Sequence, residues 1–315
     1  MRVAVLLLVV LVLMWGFALW RSYHQTAEAE TAFPAEGQFI DVDGIRIHAV
    51  VMGEGPDVVL IHGSNGNTRD MTFALAPILS DRYRVIVFDR PGLGYSDSFN
   101  PNGETIEEQA EVLQNAAAQL GAEKPIVAGQ SYGASVSLAW AVTRPDNLSA
   151  LVLMAPPAIP WETPLSGFNQ MASTKVGDAL VLPFVSSFVP QWFVDNALDQ
   201  VFAPQTAPEG YADHFGPDLT IRRGSMHTNA RQMANLLDEV TELQPRYGDI
   251  SVPTEIVHGT ADTTVSLDWH GPGLLAQIPG AELVELDGIG HMPQIVAADA
   301  VAEAIDRAAE RAGLR

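Results

Sequence analysis

The chain contains no cysteine, which removes disulfides, thiolate nucleophiles, iron–sulfur clusters and cysteine-based zinc sites from consideration. Positive charge is scarce: Lys and Arg total 17 against 38 Asp and Glu, a formal charge of −21. A nucleic-acid binder needs surplus cations to displace phosphate counterions, so no nucleic-acid partner is expected. A basic patch for anionic lipid is disfavoured on the same ground. No repeat of 20–50 residues is visible, which sets aside solenoids and propellers. What the chain does have is apolar material, 47% of its 315 residues, with only 17% charged. That is enough for a sizeable core in one large domain or two modest ones, and it argues against disorder.

One apolar run stands apart from the rest. Val3–Trp20 carries no charge and lies between Arg2 and Arg21. At ~1.5 Å per residue it would reach about 27 Å, close to the hydrocarbon thickness of a bilayer. Trp15 and Trp20 sit toward its C-terminal end, where indoles favour the headgroup layer. Residues 1–21 therefore read as a single-pass transmembrane anchor. A cleaved signal peptide is the rival, with Ala27-Glu28-Ala29 as a small-x-small cleavage site. Signal cores usually run only ~7–15 residues, so length favours the anchor. The amine and Arg2 on one side face Arg21 and then Glu28, Glu30 and Glu36 on the other. The positive side favours the cytoplasm, which puts the main domain outside it, in the periplasm or extracellular space. Residues 22–38, acidic and alanine-rich from Thr26 to Gln38, read as a tether. The globular domain is residues 39–315.

From Phe39 onward short β-branched runs alternate with helical patterns. Phe39–Val42 and Ile45–Val51 flank Asp43-Gly44, a strong hairpin signal. Val58–His62, Val85–Phe88, Ile126–Gly129, Leu151–Met154, Glu255–His258 and Glu282–Leu286 are apolar runs of the kind that buried parallel strands show. Helical spacing covers Met71–Leu79, Ile106–Leu120, Ser131–Thr143 and Ile295–Ala312. The fold class is α/β: an opening hairpin, then βα units, giving a mostly parallel sheet with helices on both faces. Between Pro157 and Ile250 no strand pattern occurs. This long excursion reads as an inserted helical cap at about residues 157–250. Phe184, Phe188, Trp192 and Phe193 are spaced to share a helical face there, more plausibly for packing than for an acyl chain.

Gly129-Gln130-Ser131-Tyr132-Gly133 directly follows the strand Ile126–Ala128 and opens a helix. G-x-S-x-G alone is weak, and its bland role is a βα turn with a capping serine. Set between strand and helix, it is a turn that exposes the serine hydroxyl at a helix N-terminus. Ser131 is the candidate nucleophile. A serine needs a base to take its proton. His291, in Gly288-Ile289-Gly290-His291-Met292-Pro293, lies in the loop after the last strand, at the same sheet edge as Ser131. The other histidines fit worse, among them His62 and His258, which each end a strand. The base needs an acid to hold its tautomer. Asp262 follows the preceding strand and completes the order Ser, Asp, His; Asp287, four residues from His291, is the rival. An oxyanion needs donors. The N–H of Tyr132 supplies one, and the loop His62–Asn67 can supply another through Ser64.

With these residues the chain resembles the α/β-hydrolase superfamily over about Phe39 to Ala312. The resemblance rests on His62-Gly63, Asp89-Arg90-Pro91-Gly92-Leu93-Gly94-Tyr95-Ser96, the elbow at Ser131, Gly259…Asp262 and Gly290-His291, in that order. It implies an eight-stranded sheet, a cap after the sixth strand and a Ser-Asp-His triad, with Asp89–Ser96 shaping a loop beside the site. Many relatives carry proline near the position of Asn65, which this chain lacks. Members resembling haloalkane dehalogenases use aspartate as nucleophile, whereas Ser131 stands here. The expectation is a membrane-anchored serine hydrolase that cleaves a carboxylic ester or related acyl bond of a small, apolar acyl substrate. No metal or organic cofactor is implied. C–C bond hydrolysis and perhydrolysis use the same triad, and a non-catalytic binding module on this fold is the alternative from another class.

Overall fold

The computed structural model describes all 315 residues. Its eight strands are β1 (Gln38–Val42), β2 (Ile45–Met52), β3 (Asp57–Ile61), β4 (Arg84–Phe88), β5 (Ile126–Gln130), β6 (Ala150–Met154), β7 (Thr254–Gly259) and β8 (Glu282–Leu286). They form one sheet in the order β1-β2-β4-β3-β5-β6-β7-β8. β2 pairs antiparallel with β1 and β4, and every other pairing is parallel. The mostly parallel α/β sheet that the periodicity predicts is present, and its strands start and end close to the apolar runs.

Successive side chains on a strand point to opposite faces, so strands covered on both sides must be apolar throughout. β3, β4 and β6 show this directly. Val59, Ile61, Ile86, Phe88, Leu151 and Leu153 enter one core layer, under the helices Ile106–Gln119 and Tyr132–Thr143. Val58, Leu60, Val85, Val87, Val152 and Met154 enter the other, with the helices Leu75–Ser80 and Ala298–Arg311. Each large side chain so buried stabilises the fold by roughly 1.5–3 kcal/mol. Local signals fix the helix ends. Thr105 Oγ1 accepts from Glu108 N–H while Glu108 accepts from Thr105 N–H, a reciprocal cap that starts Ile106–Gln119.

Between β6 and β7 the chain is helical, with no strand from Met154 to Thr254. Its helices include Gly167–Ala172, Lys175–Leu180, Leu182–Phe188, Gln191–Phe202 and the long Arg223–Leu243. The insertion leaves the sheet at the strand carboxyl ends and folds back over them. A Cβ on Gly290 would meet Ala203 O at 2.1 Å, and one on Gly92 would meet Thr228 Cγ2 at 2.3 Å.

The N-terminus departs from the expected anchor-plus-tether arrangement. One helix runs unbroken from Arg2 to Ala32, so residues 22–32 are helical and only a short connector precedes β1. Two physical causes combine. Alanine and glutamate, which dominate Thr26–Thr31, are strong helix formers. Ala18, Ser22, Gln25 and Ala29, at helical spacing, are buried against the inserted helices. Ser186 Oγ donates to Ser22 Oγ at 2.7 Å, and Arg222 pairs with Glu30 at 2.8 Å. Upstream of this seam the helix is exposed, and taken over its whole length, Arg2–Ala32, it is long and apolar enough to cross a membrane.

Candidate active site

The sharp turn at Ser131 follows from what surrounds it. Ser131 sits at φ 52° and ψ −122°, a conformation L-residues rarely adopt. The neighbouring glycines make it possible. A Cβ on Gly129 would lie 2.2 Å from Gly133 O, and one on Gly133 would lie 2.2 Å from Ile61 O. Strand β5 and the helix after it therefore close onto β3, and the Ser131 hydroxyl projects from the crease.

His291 reaches this hydroxyl from the loop after β8, with Nε2 3.0 Å from Ser131 Oγ. Its Nδ1 lies 2.8 Å from Asp262 Oδ2. Asp262, in the loop after β7, uses its other oxygen to accept the N–H groups of Thr264 and Val265 at 2.8 and 2.9 Å. Burial alone would raise the Asp262 carboxyl. Hydrogen bonds from His258 and His291 and the charge of His291 outweigh it and hold Asp262 well below the usual carboxylate range. A carboxylate facing Nδ1 fixes the proton there and leaves Nε2 free to accept from Ser131. Asp287 is not part of this cluster; it lies in the exposed turn, 3.5 Å from Thr260 Oγ1.

The loop after β3 lies against the nucleophile. A Cβ on Gly63 would sit 3.2 Å from Ser131 Cβ, and 2.3 Å from Gln130 Oε1. Its conformation is held from both sides. His62 bridges the Gly63 carbonyl through Nδ1 and the Arg90 N–H through Nε2, at 2.9 and 3.0 Å. Burial and the nearby Arg90 charge push His62 down to about 3, so it is neutral with its proton on Nδ1. Arg90, buried over the Tyr132 ring at 4.1 Å, donates to the Gly63 carbonyl at 3.1 Å. Ser64 and Asn65 are fixed by the inserted helices: Asn229 Oδ1 accepts from Ser64 Oγ at 2.9 Å and from Asn65 N–H at 2.8 Å. Asn65 takes φ 52°, where asparagine is tolerated better than most residues. Tyr132 opens its helix, so its N–H has no carbonyl one turn earlier to bond. The structure thus gathers Ser131, His291, Asp262, Ser64 and Tyr132 at one edge of the sheet.

Asp89 shapes the neighbouring loop. Its carboxylate accepts from Thr68 N–H at 2.6 Å and Tyr95 N–H at 2.9 Å, and lies 2.6 Å from His48 Nδ1. Four further residues escape a reading of the sequence alone. His258 Nε2 lies 3.3 Å from Asp262 Oδ2 and 2.9 Å from Val265 O, a second imidazole on the same acid. Gln130 donates to His291 O at 2.9 Å, tying the elbow to the histidine loop. Asn229 acts from the inserted helices. Asp70 is buried beside His291, accepting from Tyr211 Oη at 2.7 Å and Gln294 Nε2 at 3.1 Å. Burial outweighs these bonds and raises its carboxyl. Only His258 left a trace, four residues before Asp262; the partners of the others are 70 or more residues away in sequence.

The chain belongs to the alpha/beta hydrolase family, whose model matches residues 58–304. It is 28% identical over 290 residues to a 2-hydroxy-6-oxononadienedioate/2-hydroxy-6-oxononatrienedioate hydrolase of Klebsiella pneumoniae, covering 88% of this chain and 95% of that one. Haloalkane dehalogenase 2 of Mycobacterium bovis is 28% identical over 87% of this chain and 94% of its own. Among solved structures, a membrane phospholipase A described as a bacterial virulence factor superposes with a TM-score of 0.66 at 20% identity. That superposition takes in 98% of this chain and 99% of the other, so it includes the N-terminal helix.

Proposed function

We propose that this hydrolase is a serine esterase, held at a membrane by its N-terminal helix, that cleaves a carboxylic ester or related acyl bond through an acyl-enzyme. The observation that carries the reading is the chain of contacts Ser131 Oγ, His291 Nε2, His291 Nδ1, Asp262 Oδ2. As Ser131 Oγ attacks the acyl carbon, its proton passes to His291 Nε2. The resulting imidazolium is stabilised by Asp262, which stays ionised. The carbonyl oxygen, now an oxyanion, accepts from the N–H groups of Ser64 and Tyr132. Collapse expels the alcohol, which takes the proton back from His291. Water then repeats the sequence, His291 removing its proton, and releases the acid. No step draws on a metal or organic cofactor.

Halide displacement is not proposed, because a serine stands where the dehalogenase-like members carry aspartate. C–C bond hydrolysis is the second reading, favoured by the Klebsiella relative, a 2-hydroxy-6-oxononadienedioate/2-hydroxy-6-oxononatrienedioate hydrolase. For the membrane part, the support is an 18-residue apolar run, exposed from Val3 to Phe17, and a fold likeness that extends through it to a membrane phospholipase A. The test is a panel of esters of graded acyl length beside a 2-hydroxy-6-oxo-dienoate, assayed with wild type and Ser131→Ala. Ester turnover abolished by Ser131→Ala supports the proposal. Turnover of the dienoate alone favours the second reading, and ester turnover that survives Ser131→Ala overturns the mechanism.

A further inference from the structure

The N-terminal helix is bonded to the inserted helices at a depth that its own length makes informative. Trp15 Nε1 donates to Ala179 O at 2.8 Å, and Ser187 Oγ donates to Ala18 O at 2.9 Å. Phe17 lies against Phe188, with ring centroids 6.3 Å apart. Protein thus covers one side of the helix from Trp15 onward. The part ahead of it, Val3–Met14, is twelve residues, which reach only about 18 Å at ~1.5 Å per residue. The hydrocarbon core is about 30 Å thick and needs about 20 residues. A helix that crosses it from Arg2 must therefore remain in the bilayer to about Ser22, which sets Trp15 about 10 Å below that boundary. Whatever is bonded to Trp15, Phe17 and Ala18 goes in with them.

The side chains of the segment bonded there match such a setting. Lys175–Leu180 leads directly into Leu182–Phe188, the helix seated on the N-terminal helix. Val176 is 67% exposed, Leu180 54% and Phe188 55%. Trp192 and Phe193, four and five residues past Phe188, are 68% and 54% exposed. Side chains of this size on one connected stretch form the kind of apolar surface that soluble monomers seldom display. Immersion by about 5–10 Å is the depth at which apolar and aromatic residues of interfacial helices lie.

We infer that residues 175–193 of the inserted helices are a membrane-docking surface that enters the lipid interface beside the anchor, so that the protein holds the bilayer at two places. This rests on the reading of Val3–Trp20 as an anchor and goes beyond it, since a flexible tether would leave the insertion free in water. The occupant is the lipid itself: Phe188 of this surface lies against Phe17 of the anchor helix, and the surface is apolar and aromatic with a single cation, Lys175, at its start. A consequence concerns substrate class. The inserted helices also hold the oxyanion loop, through Asn229 on Ser64 and Asn65, and press on the His291 loop at Gly290. The segment that enters lipid and the residues that bound the active site, Ala203 and Asn229, thus belong to the same insertion, which points to lipid-dissolved esters as its substrates.

The absence of cysteine makes the test direct. Leu8→Cys, Val176→Cys, Phe193→Cys and Glu123→Cys, all at exposed side chains, are made in the full-length chain. Each is labelled with an environment-sensitive fluorophore and placed in phosphatidylcholine nanodiscs. Labels at 176 and 193 should be quenched by shallow nitroxide lipid about threefold more, and by aqueous iodide about threefold less, than the label at 123, as expected for interfacial burial. Quenching at 176 and 193 equal to that at 123, with position 8 in lipid, overturns the docking surface and leaves the anchor standing. A label at 8 that behaves like 123 means the anchor reading has failed and the docking inference with it. Protection of 176 and 193 from both quenchers shows protein there, such as a second copy, and overturns the proposal.

Discussion

The rim of the sheet around Ser131 and the outer face of the inserted helices are built from opposite materials. At the rim, polar side chains are buried and bonded: His62, Asp89, Gln130 and Asp262 each have partners within 3.0 Å. On the outer face, Val176, Trp192 and Phe193 are large, apolar and exposed. The first arrangement fixes atoms to within fractions of an ångström, which proton transfer requires. The second fixes nothing by itself and suits a fluid partner. Directional bonds mark the proposed site of chemistry, and unpartnered apolar surface marks the proposed hold on lipid.

Substitutions should separate the two regions sharply. Ser131→Ala and His291→Ala should each remove nearly all esterase turnover, and the double variant should be no worse, because nucleophile and base act as one unit. Steady-state rates of the three proteins test this, and additive losses would break the unit. Asp262→Asn should cost up to ~10⁴-fold by favouring the wrong imidazole tautomer. Asp287→Asn should stay near wild type, and the reverse result would move the acid to Asp287. His258→Phe should cost less than Asp262→Asn, because it removes only one of the groups bonded to that carboxylate and leaves the His291 contact in place. Steady-state rates check this, and a loss as large as that of Asp262→Asn would contradict the ranking.

The rim should also respond to acid. His270 Nδ1 accepts the N–H groups of Ala158 and Ile159, so it is neutral, and burial brings it down to about 4. His62 lies at about 3. Both are below the unfolded value, so from about pH 6.5 down toward pH 4 the unfolded chain binds protons that the folded chain refuses. Stability is present above that window and lost on acidification, by about 1.4 kcal/mol per group per unit. Denaturant unfolding in detergent between pH 7 and 4.5 measures the slope. On the outer face, Trp192→Ser should change the unfolding free energy in the same measurement by no more than about 0.5 kcal/mol, as exposed positions do.

Much of the rim was legible because its motifs are local. Gly129–Gly133 carries its own turn, and each apolar run declares a strand, although Glu282–Leu286, expected to be covered on both faces, lies at the sheet edge with no residue fully buried. Asp262 could be separated from Asp287 only by position after β7. What stayed hidden is what acts across the fold: Gln130 on His291, Asn229 on Ser64, Tyr211 on Asp70. Residues 22–32 misled for a different reason. Their polarity reads as linker, while their alanine content and the spacing of Ala18, Ser22, Gln25 and Ala29 make a docked helix, whose partner surface lies more than 150 residues away.

The central claim is that Ser131 is the nucleophile of a serine hydrolase, and covalent labelling meets it most directly. The full-length protein, treated with a fluorophosphonate and measured by intact mass and peptide mapping, should gain one adduct, on Ser131. Ser131→Ala should gain none, and His291→Ala should react far more slowly. An adduct on another residue, or labelling of wild type no faster than of His291→Ala, would contradict the account.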